Sequence, residues 1–227
     1  CTNPLALNYN GFASVDDGNR YGLQSDTSSV HLGLAGKAFG VGATLGLMEE
    51  EGNLLGGASG GALSASHAQT FFTVLRGHLD FAKHWSLIGK YTHGLTFADD
   101  YEKSLLSNFS QIESNSWGMG FAGRHVFSRG DQLGFGVSQP LRTIDGDVEV
   151  SAPYWDPMRA RVGFNSARTS LVPNGLETSL EFFYRKPIGK RAQFITYMVL
   201  RDEPLHRAER GAQASVIGVV RWRFRSR

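Results

Sequence analysis

Residues 71–92 read FFTVLRGHLDFAKHWSLIGKYT. Phe71, Leu75, Leu79 and Phe81 alternate with Arg76, His78 and Asp80. Past Lys83-His84, Trp85, Leu87 and Tyr91 alternate with Ser86, Lys90 and Thr92. A strand turns successive side chains to opposite faces, so a period of two predicts two strands joined by a tight turn. One face is large and apolar; the other is polar, charged or tiny.

The same pattern extends in both directions. Val30, Leu32 and Leu34 share a face and, after a turn at Gly36-Lys37, so do Phe39, Val41, Ala43, Leu45 and Leu47. Trp117, Met119, Phe121 and Phe127 alternate with Ser116, Gly118, Gly120 and Arg124, and Leu133, Phe135 and Val137 with Gly134, Gly136 and Ser138. Leu176, Leu180, Phe182 and Tyr184 alternate with Glu177, Ser179, Glu181 and Arg185, and Val216, Val220, Trp222 and Phe224 with Arg221 and Arg223.

A soluble β-sandwich alternates as well, so the content of the two faces matters. Aromatic residues fall near predicted strand ends, with Trp85, Phe127 and Trp222 placed as an interfacial girdle would be. The opposite face carries Arg76, His78, Asp80, Lys90, Arg124, Glu181, Arg185, Arg221 and Arg223, the candidates for lining a wet lumen. Short connections near Gly36-Lys37, Lys83-His84, Arg129-Gly130 and Gly189-Lys190 contrast with long ones over roughly 49–67, 99–110 and 203–211. Outer-membrane barrels alternate short periplasmic turns with longer outside loops.

With a last strand at about 212–224 running toward the periplasm, strict alternation calls for a strand at 147–152, and Asp145-Gly146 is a hairpin signal for it. A segment from Arg20 to Asp26 makes the number even. The expected fold is therefore all-β: a transmembrane antiparallel up-and-down barrel of about twelve strands over residues 20–227, after an N-terminal linker of residues 1–19.

Composition agrees with that class. The 227 residues suffice for one substantial domain, and 28 glycines and 15 phenylalanines are the informative excess. No stretch approaches the run of about 20 apolar residues that a membrane helix needs, so any spanning structure is a closed barrel. The sequence opens with no signal peptide. A formal net charge of +2 is too small to point to nucleic acid, and Arg221, Arg223, Arg225 and Arg227 read as a solvated strand end. Cys1 alone excludes an intrachain disulfide. It marks either a lipidated mature terminus or merely the point where this chain begins.

No group stands out as catalytic. His78 and Asp80 beside Arg76 could pair as a base and its orienting carboxylate, but no placed nucleophile accompanies them, and a self-satisfied lumen cluster fits better. His31, His67, His84, His93, His125 and His206 lack metal-ligand spacing; His84 in a turn and His206 in a loop read as ordinary exposed histidines. Gly57-Ala58-Ser59-Gly60-Gly61 matches Gly-x-Ser-x-Gly, yet without the strand-turn-helix context of a nucleophile elbow, and it is no phosphate loop. No cofactor or metal is expected.

The chain end carries an assembly signal: Val216, Gly218, Val220, Trp222 and Phe224 form an apolar strand closing on an aromatic, with Val220, Trp222 and Phe224 its core, followed by Arg225-Ser226-Arg227. The run Leu133 to Arg142 (LGFGVSQPLR), then Ser170 to Gly175 (SLVPNG) leading into Glu181 to Pro187 (EFFYRKP), resembles the C-terminal barrel of subtilisin-like serine protease autotransporters. Met48 to Leu55 (MEEEGNLL), Ser104 to Ser107 (SLLS) and Arg201 to His206 (RDEPLH) add to it, so the resemblance covers roughly residues 20–224.

The resemblance implies a translocator that carries an N-terminal passenger to the cell surface of a Gram-negative bacterium and anchors it in the outer membrane. Its implied partners are the lipid bilayer and lipopolysaccharide, the barrel assembly machinery and the chain's own passenger. The family's protease triad belongs to the passenger, so no residue here inherits a catalytic role. Such translocators usually hold a helix in the lumen, but residues 1–19, with Pro4, Gly11 and Gly18, are a poor helix. Three other readings stand beside it: a stand-alone outer-membrane barrel (a pore, a receptor or a lipoprotein partner, lipidated at Cys1), an outer-membrane enzyme, and a soluble sandwich or lipocalin-like binder.

Overall fold

The computed structural model describes residues 24–54, 57–58, 63, 65–189 and 191–222. Cys1, the linker at 1–19, residues 20–23 of the predicted first strand, Arg223, Phe224 and most of the glycine-rich run lie outside them.

The molecule is all-β and antiparallel. Its elements are β1 (Gln24–Ala35), β2 (Phe39–Glu51), β3 (Asn53–Leu54), β4 (Gly57–Ala58), β5 (His67–Ala82), β6 (Trp85–Ala98), β7 (Leu106–Ser107), β8 (Ile112–Arg124), β9 (Gln132–Asp145), β10 (Asp147–Asp156), β11 (Arg161–Ser170), β12 (Thr178–Ile188), β13 (Ala192–Asp202) and β14 (Gln213–Trp222). A 3-10 turn, Pro204–His206, is the helical element among the described residues.

Nine of these strands form one sheet in the order β1-β2-β5-β6-β8-β9-β12-β13-β14. The order follows the chain, passing over the short β3 and β4 between β2 and β5, over β7 between β6 and β8, and over the β10–β11 hairpin between β9 and β12. The intervening hairpin, β10–β11, leaves the sheet and joins β7 in a separate three-stranded sheet, while β3 and β4 form a small ribbon.

Three expectations change here. The strand at 147–152 exists, as part of β10, but it pairs with β11 and with β7 rather than beside β9. Gly146, at φ +136°, turns the chain out of the main sheet instead of closing a hairpin. The segment near 20–26 contributes residues 24–26 to β1, continuous with Val30 to Leu34, rather than a strand of its own. The turn expected at Arg129-Gly130 spans His125 to Asp131, so Phe127 sits in the connection and not in the alternation of β8.

The register fixes the two faces. Phe39↔Leu79, Leu79↔Leu87, Leu87↔Phe121, Phe121↔Phe135, Phe135↔Phe182, Phe182↔Met198 and Met198↔Val216 form a continuous cross-strand row on the apolar face. Directly paired residues of an antiparallel ladder share a face, so this row runs from β2 to β14 without interruption. On the other face Phe183 lies across Gly134, its direct partner, in space that a Cβ on that glycine would occupy.

Connections are short at one end of the sheet (36–38, 83–84, 125–131, 189–191) and long at the other (52–66, 99–111, 146–177, 203–212). The most deeply buried side chains gather at the long-connection end: Ala68, Thr96, Ile112, Ser114 and Val148 are almost wholly covered, and Thr70 and Thr96 share a buried 2.8 Å hydroxyl hydrogen bond. The connection before β8 is clamped to the separate sheet, as Ser110 N–H donates to Asp147 O at 2.9 Å and Asp147 N–H to Ser110 Oγ at 2.8 Å. A smaller buried group, Ala122, Leu133 and Ala192 with Asp131, sits at the short-turn end.

Candidate functional site

Two surfaces and one loop cluster are candidates for function. The first surface is the apolar face. Leu32, Leu45, Phe71, Leu75, Met119, Phe121, Phe135, Leu180, Val216 and Val220 all stand exposed; Leu32 is 66%, Phe135 51% and Val216 67% accessible. Scattered apolar residues are normal on a surface, but a contiguous row crossing the main sheet from β2 to β14 is not.

This face is bounded by aromatic and polar groups at both ends. At the short-turn end stand Trp85 at the start of β6, the exposed Trp222 opposite Ala192, and Phe127, whose ring meets Tyr184 edge-on at 5.9 Å. At the long-connection end Phe71 meets Phe97 edge-on at 6.2 Å. There Trp117 Nε1–H donates to Gln139 Oε1 at 3.1 Å, Gln139 Nε2–H donates to Asn115 Oδ1 at 2.7 Å, and His93 Nε2 lies 2.6 Å from Glu113 Oε1. These polar pairs mark where the apolar band stops.

The second surface is the polar face. Arg76, His78 and Asp80 of β5, Lys90 of β6, Arg124 of β8, Glu181 and Arg185 of β12 and Arg221 of β14 all fall on it, as the alternation predicts. Their partners differ from the predicted grouping. Arg76 Nη2–H donates to His31 Nδ1 at 2.9 Å and to Thr44 Oγ1 at 3.2 Å, across β1 and β2, and its direct neighbour on β6 is Lys90. Asp80 Oδ1 accepts from Ser86 Oγ at 2.5 Å, so His78 and Asp80 are not joined as a base and its orienter. Glu181 accepts from Tyr197 Oη at 2.5 Å. This face is a row of hydrogen-bonding groups separated by small residues, in which Thr44 Oγ1 also lies 3.0 Å from His31 Nδ1. No cluster of three metal-ligating side chains occurs among the described residues.

The loop cluster joins the connection 171–177 to the connection 203–212. His206, read from sequence as an ordinary exposed histidine, is instead buried. Its Nε2–H donates to Leu141 O at 3.0 Å, and its Nδ1 accepts the Glu177 N–H at 2.9 Å. Burial lowers the His206 pKa; the Leu141 carbonyl and the Glu177 charge oppose that effect without reversing it, and the Arg142 charge reinforces it. Glu177 Oε2 accepts from Leu205 N–H at 2.7 Å, Glu203 Oε2 accepts from Leu176 N–H at 2.6 Å, and Arg142 donates to the carbonyls of Gly175 and Pro173 at 3.0 and 3.1 Å. Glu203, Leu205 and His206 all hold left-handed φ values, 47°, 62° and 54°. Three such non-glycine residues in four cost of order 1 kcal/mol each, which this network offsets.

The turn at the opposite end has its own anchor. Asp131, fully buried, accepts the N–H groups of Val126, Phe127 and Ser128 at 2.7, 3.0 and 2.7 Å. Burial alone would raise its pKa; the three backbone donors outweigh it and hold the carboxyl below its ordinary value.

The loop cluster and the His31–Arg76 contact were not found from sequence. Their partners lie between 27 and 65 positions apart and meet only through the sheet register. No protein-family model, no curated protein and no solved structure matches the chain.

Proposed function

We propose that this chain is an outer-membrane β-barrel serving as the translocator and anchor of an N-terminal passenger. The observation that carries the reading is the exposed apolar row that crosses the nine-stranded sheet and is edged by aromatic side chains. Water disfavours such a surface at about 25 cal/mol per Å², while lipid covers it without loss.

The dimensions agree. From Phe71 to Phe81 the apolar face of β5 runs over eleven residues, about 33 Å along the strand and about 25 Å along the normal at the tilt of such barrels. Short turns at one end and long connections at the other fit a periplasmic and an outer side. Arg76, Lys90, Glu181 and Arg185 would then line a wet lumen wide enough for water or an extended chain. The translocator role rests further on the resemblance of residues 133–142, 170–175 and 181–187 to subtilisin-like autotransporter barrels.

The test is the behaviour and mass of the protein extracted from its native membrane. A membrane barrel partitions into detergent and runs faster on a denaturing gel unheated than boiled. An intact mass far above 24.8 kDa, with sequence ahead of Cys1, supports a passenger. A mass near 24.8 kDa plus about three acyl chains removes the translocator role and leaves a lipidated stand-alone barrel. Partition into the aqueous phase without detergent removes the barrel.

A further inference from the structure

Arg76 and Lys90 stand directly opposite each other on β5 and β6. Like charges in direct cross-strand register repel, so the pair destabilises the sheet unless an anion lies between them. The described residues beside it supply none. Val74, His78, Ile88 and Thr92 flank the pair along β5 and β6, and only glycine, serine and threonine flank it on the same face of β2 and β8. Neither cation enters an ion pair among the described residues. Asp80, four positions along β5, is held by Ser86, and Glu181, three strands from Lys90, by Tyr197.

Three features prepare the pair for a ligand. Arg76 spends Nη2 on His31 and Thr44, which fixes the guanidinium and leaves Nε and Nη1 without an acceptor among the described residues. Thr92, two positions from Lys90 on the same face, is 6% exposed, and its hydroxyl has no hydrogen-bond partner. A buried hydroxyl left unpaired is costly, so it too calls for a partner. Beside Lys90 on β8 lies Gly118, where an added Cβ would meet only Ser138 and the Val137 carbonyl, so the space over that strand is open.

We propose that Arg76, Lys90 and Thr92 form a binding site for an oxyanion of the phosphate class. The guanidinium fork takes two oxygens of the ion, the ammonium group takes another as a point charge, and the Thr92 hydroxyl donates to it. Two uncompensated charges match a dianion such as hydrogen phosphate better than a single carboxylate. Bound between the strands, the ion replaces repulsion across the β5–β6 ladder with attraction, so occupancy stabilises the sheet. The site needs only the register of β5 and β6; its place inside a wet lumen rests on the barrel reading. Lipid headgroups do not reach that side, so the ligand is phosphate itself or a small phosphorylated solute.

The experiment titrates inorganic phosphate into the full chain in non-ionic detergent at low ionic strength, by calorimetry, with the barrel read separately from the faster unheated gel band. The expected result is one saturable site per chain, weakened about tenfold or more by Arg76→Gln or Lys90→Gln and about two- to tenfold by Thr92→Val. Thr92→Val should not lower the unfolding temperature of the phosphate-free protein, because its hydroxyl bonds nothing there. Phosphate should raise the unfolding temperature of the native chain and not of Arg76→Gln. Lys83→Gln, which removes an equal charge in the β5–β6 turn, should leave the affinity as it was. No saturable binding, or binding that survives both Arg76→Gln and Lys90→Gln, overturns the site, and a fast band then leaves the barrel standing. Equal weakening by Lys83→Gln shows general attraction to positive charge and also overturns the site. Saturable binding to protein that shows no fast band and stays in the aqueous phase keeps the site and removes the lumen.

Discussion

Removing the imidazole of His206 should open the loop cluster without unfolding the sheet. In His206→Ala the part-buried Leu141 carbonyl loses its donor at 3.0 Å and the buried Glu177 N–H loses its acceptor at 2.9 Å. A lost hydrogen bond costs about 1 kcal/mol net, and a buried group left unpaired about 1–3 kcal/mol, so closing the cluster weakens by roughly 2–3 kcal/mol. Glu203 and Leu205 keep their contacts to Leu176 and Glu177 at 2.6 and 2.7 Å, but their connection loses the ring that ties it to the end of β9. Arg207 and Arg210 lie exposed in the same connection and are trypsin sites. When opening is fast relative to cleavage, the rate follows the open population, so cleavage after either arginine should rise about 30- to 150-fold. Limited trypsin digestion at pH 8 of the detergent-solubilised protein, with the fragment from residue 211 followed by mass spectrometry, measures it. A rise below threefold at both bonds would refute the account of the cluster, since opening would then not depend on His206.

The same histidine sets a pH dependence. Its folded pKa lies below the ordinary value of about 6.5, so its contribution is complete above that pH and is lost as pH falls through the lowered value. Hydrogen exchange of the Glu177 amide, corrected for intrinsic rate, should accelerate in mild acid in the native protein and not in His206→Ala. Asp131 titrates lower: the protection of the Val126 and Ser128 amides should be complete above about pH 4 and lost in stronger acid, and Asp131→Ala should remove it at all pH values. Gly134→Val should expel the Phe183 ring and lower unfolding stability by about 1–3 kcal/mol in a urea titration in detergent. Leu75→Arg, on the exposed apolar face, should cost about 2–4 kcal/mol of insertion into vesicles, whereas His78→Arg on the other face should leave insertion unchanged.

Local alternation carried most of the sheet. In residues 71–92 every side chain assigned to a face is found there, because period two is imposed by the strand itself and needs no knowledge of partners. The strand expected at 147–152 forms, but in a separate sheet and not beside β9, for a related reason. Asp145-Gly146 serves a bend out of the sheet as well as a hairpin, and alternation in β10 looks the same in either sheet. Pro153 was the available warning, since proline within a run argues against a central strand. His206 gave no signal at all: its burial depends on a connection about 30 positions earlier and on the end of β9, and no local pattern encodes such a meeting. Arg76 was placed on the correct face but given the wrong companions, because neighbours along one strand are legible and neighbours across three strands are not.

The crowding of buried polar contacts at one end of the sheet bears on the order of assembly. On the proposed orientation that end faces outward, so every long connection must cross the hydrocarbon before it reaches its place. A closed cluster of Glu177, Glu203, Arg142 and His206 would make that passage as a compact charged body, whereas an open loop can be threaded residue by residue. The cluster joins the end of β9 to the connections on both sides of the β12–β13 hairpin, so it can close only after those strands have arrived. It is thus a seal formed on the far side, and once formed it hinders those connections from returning.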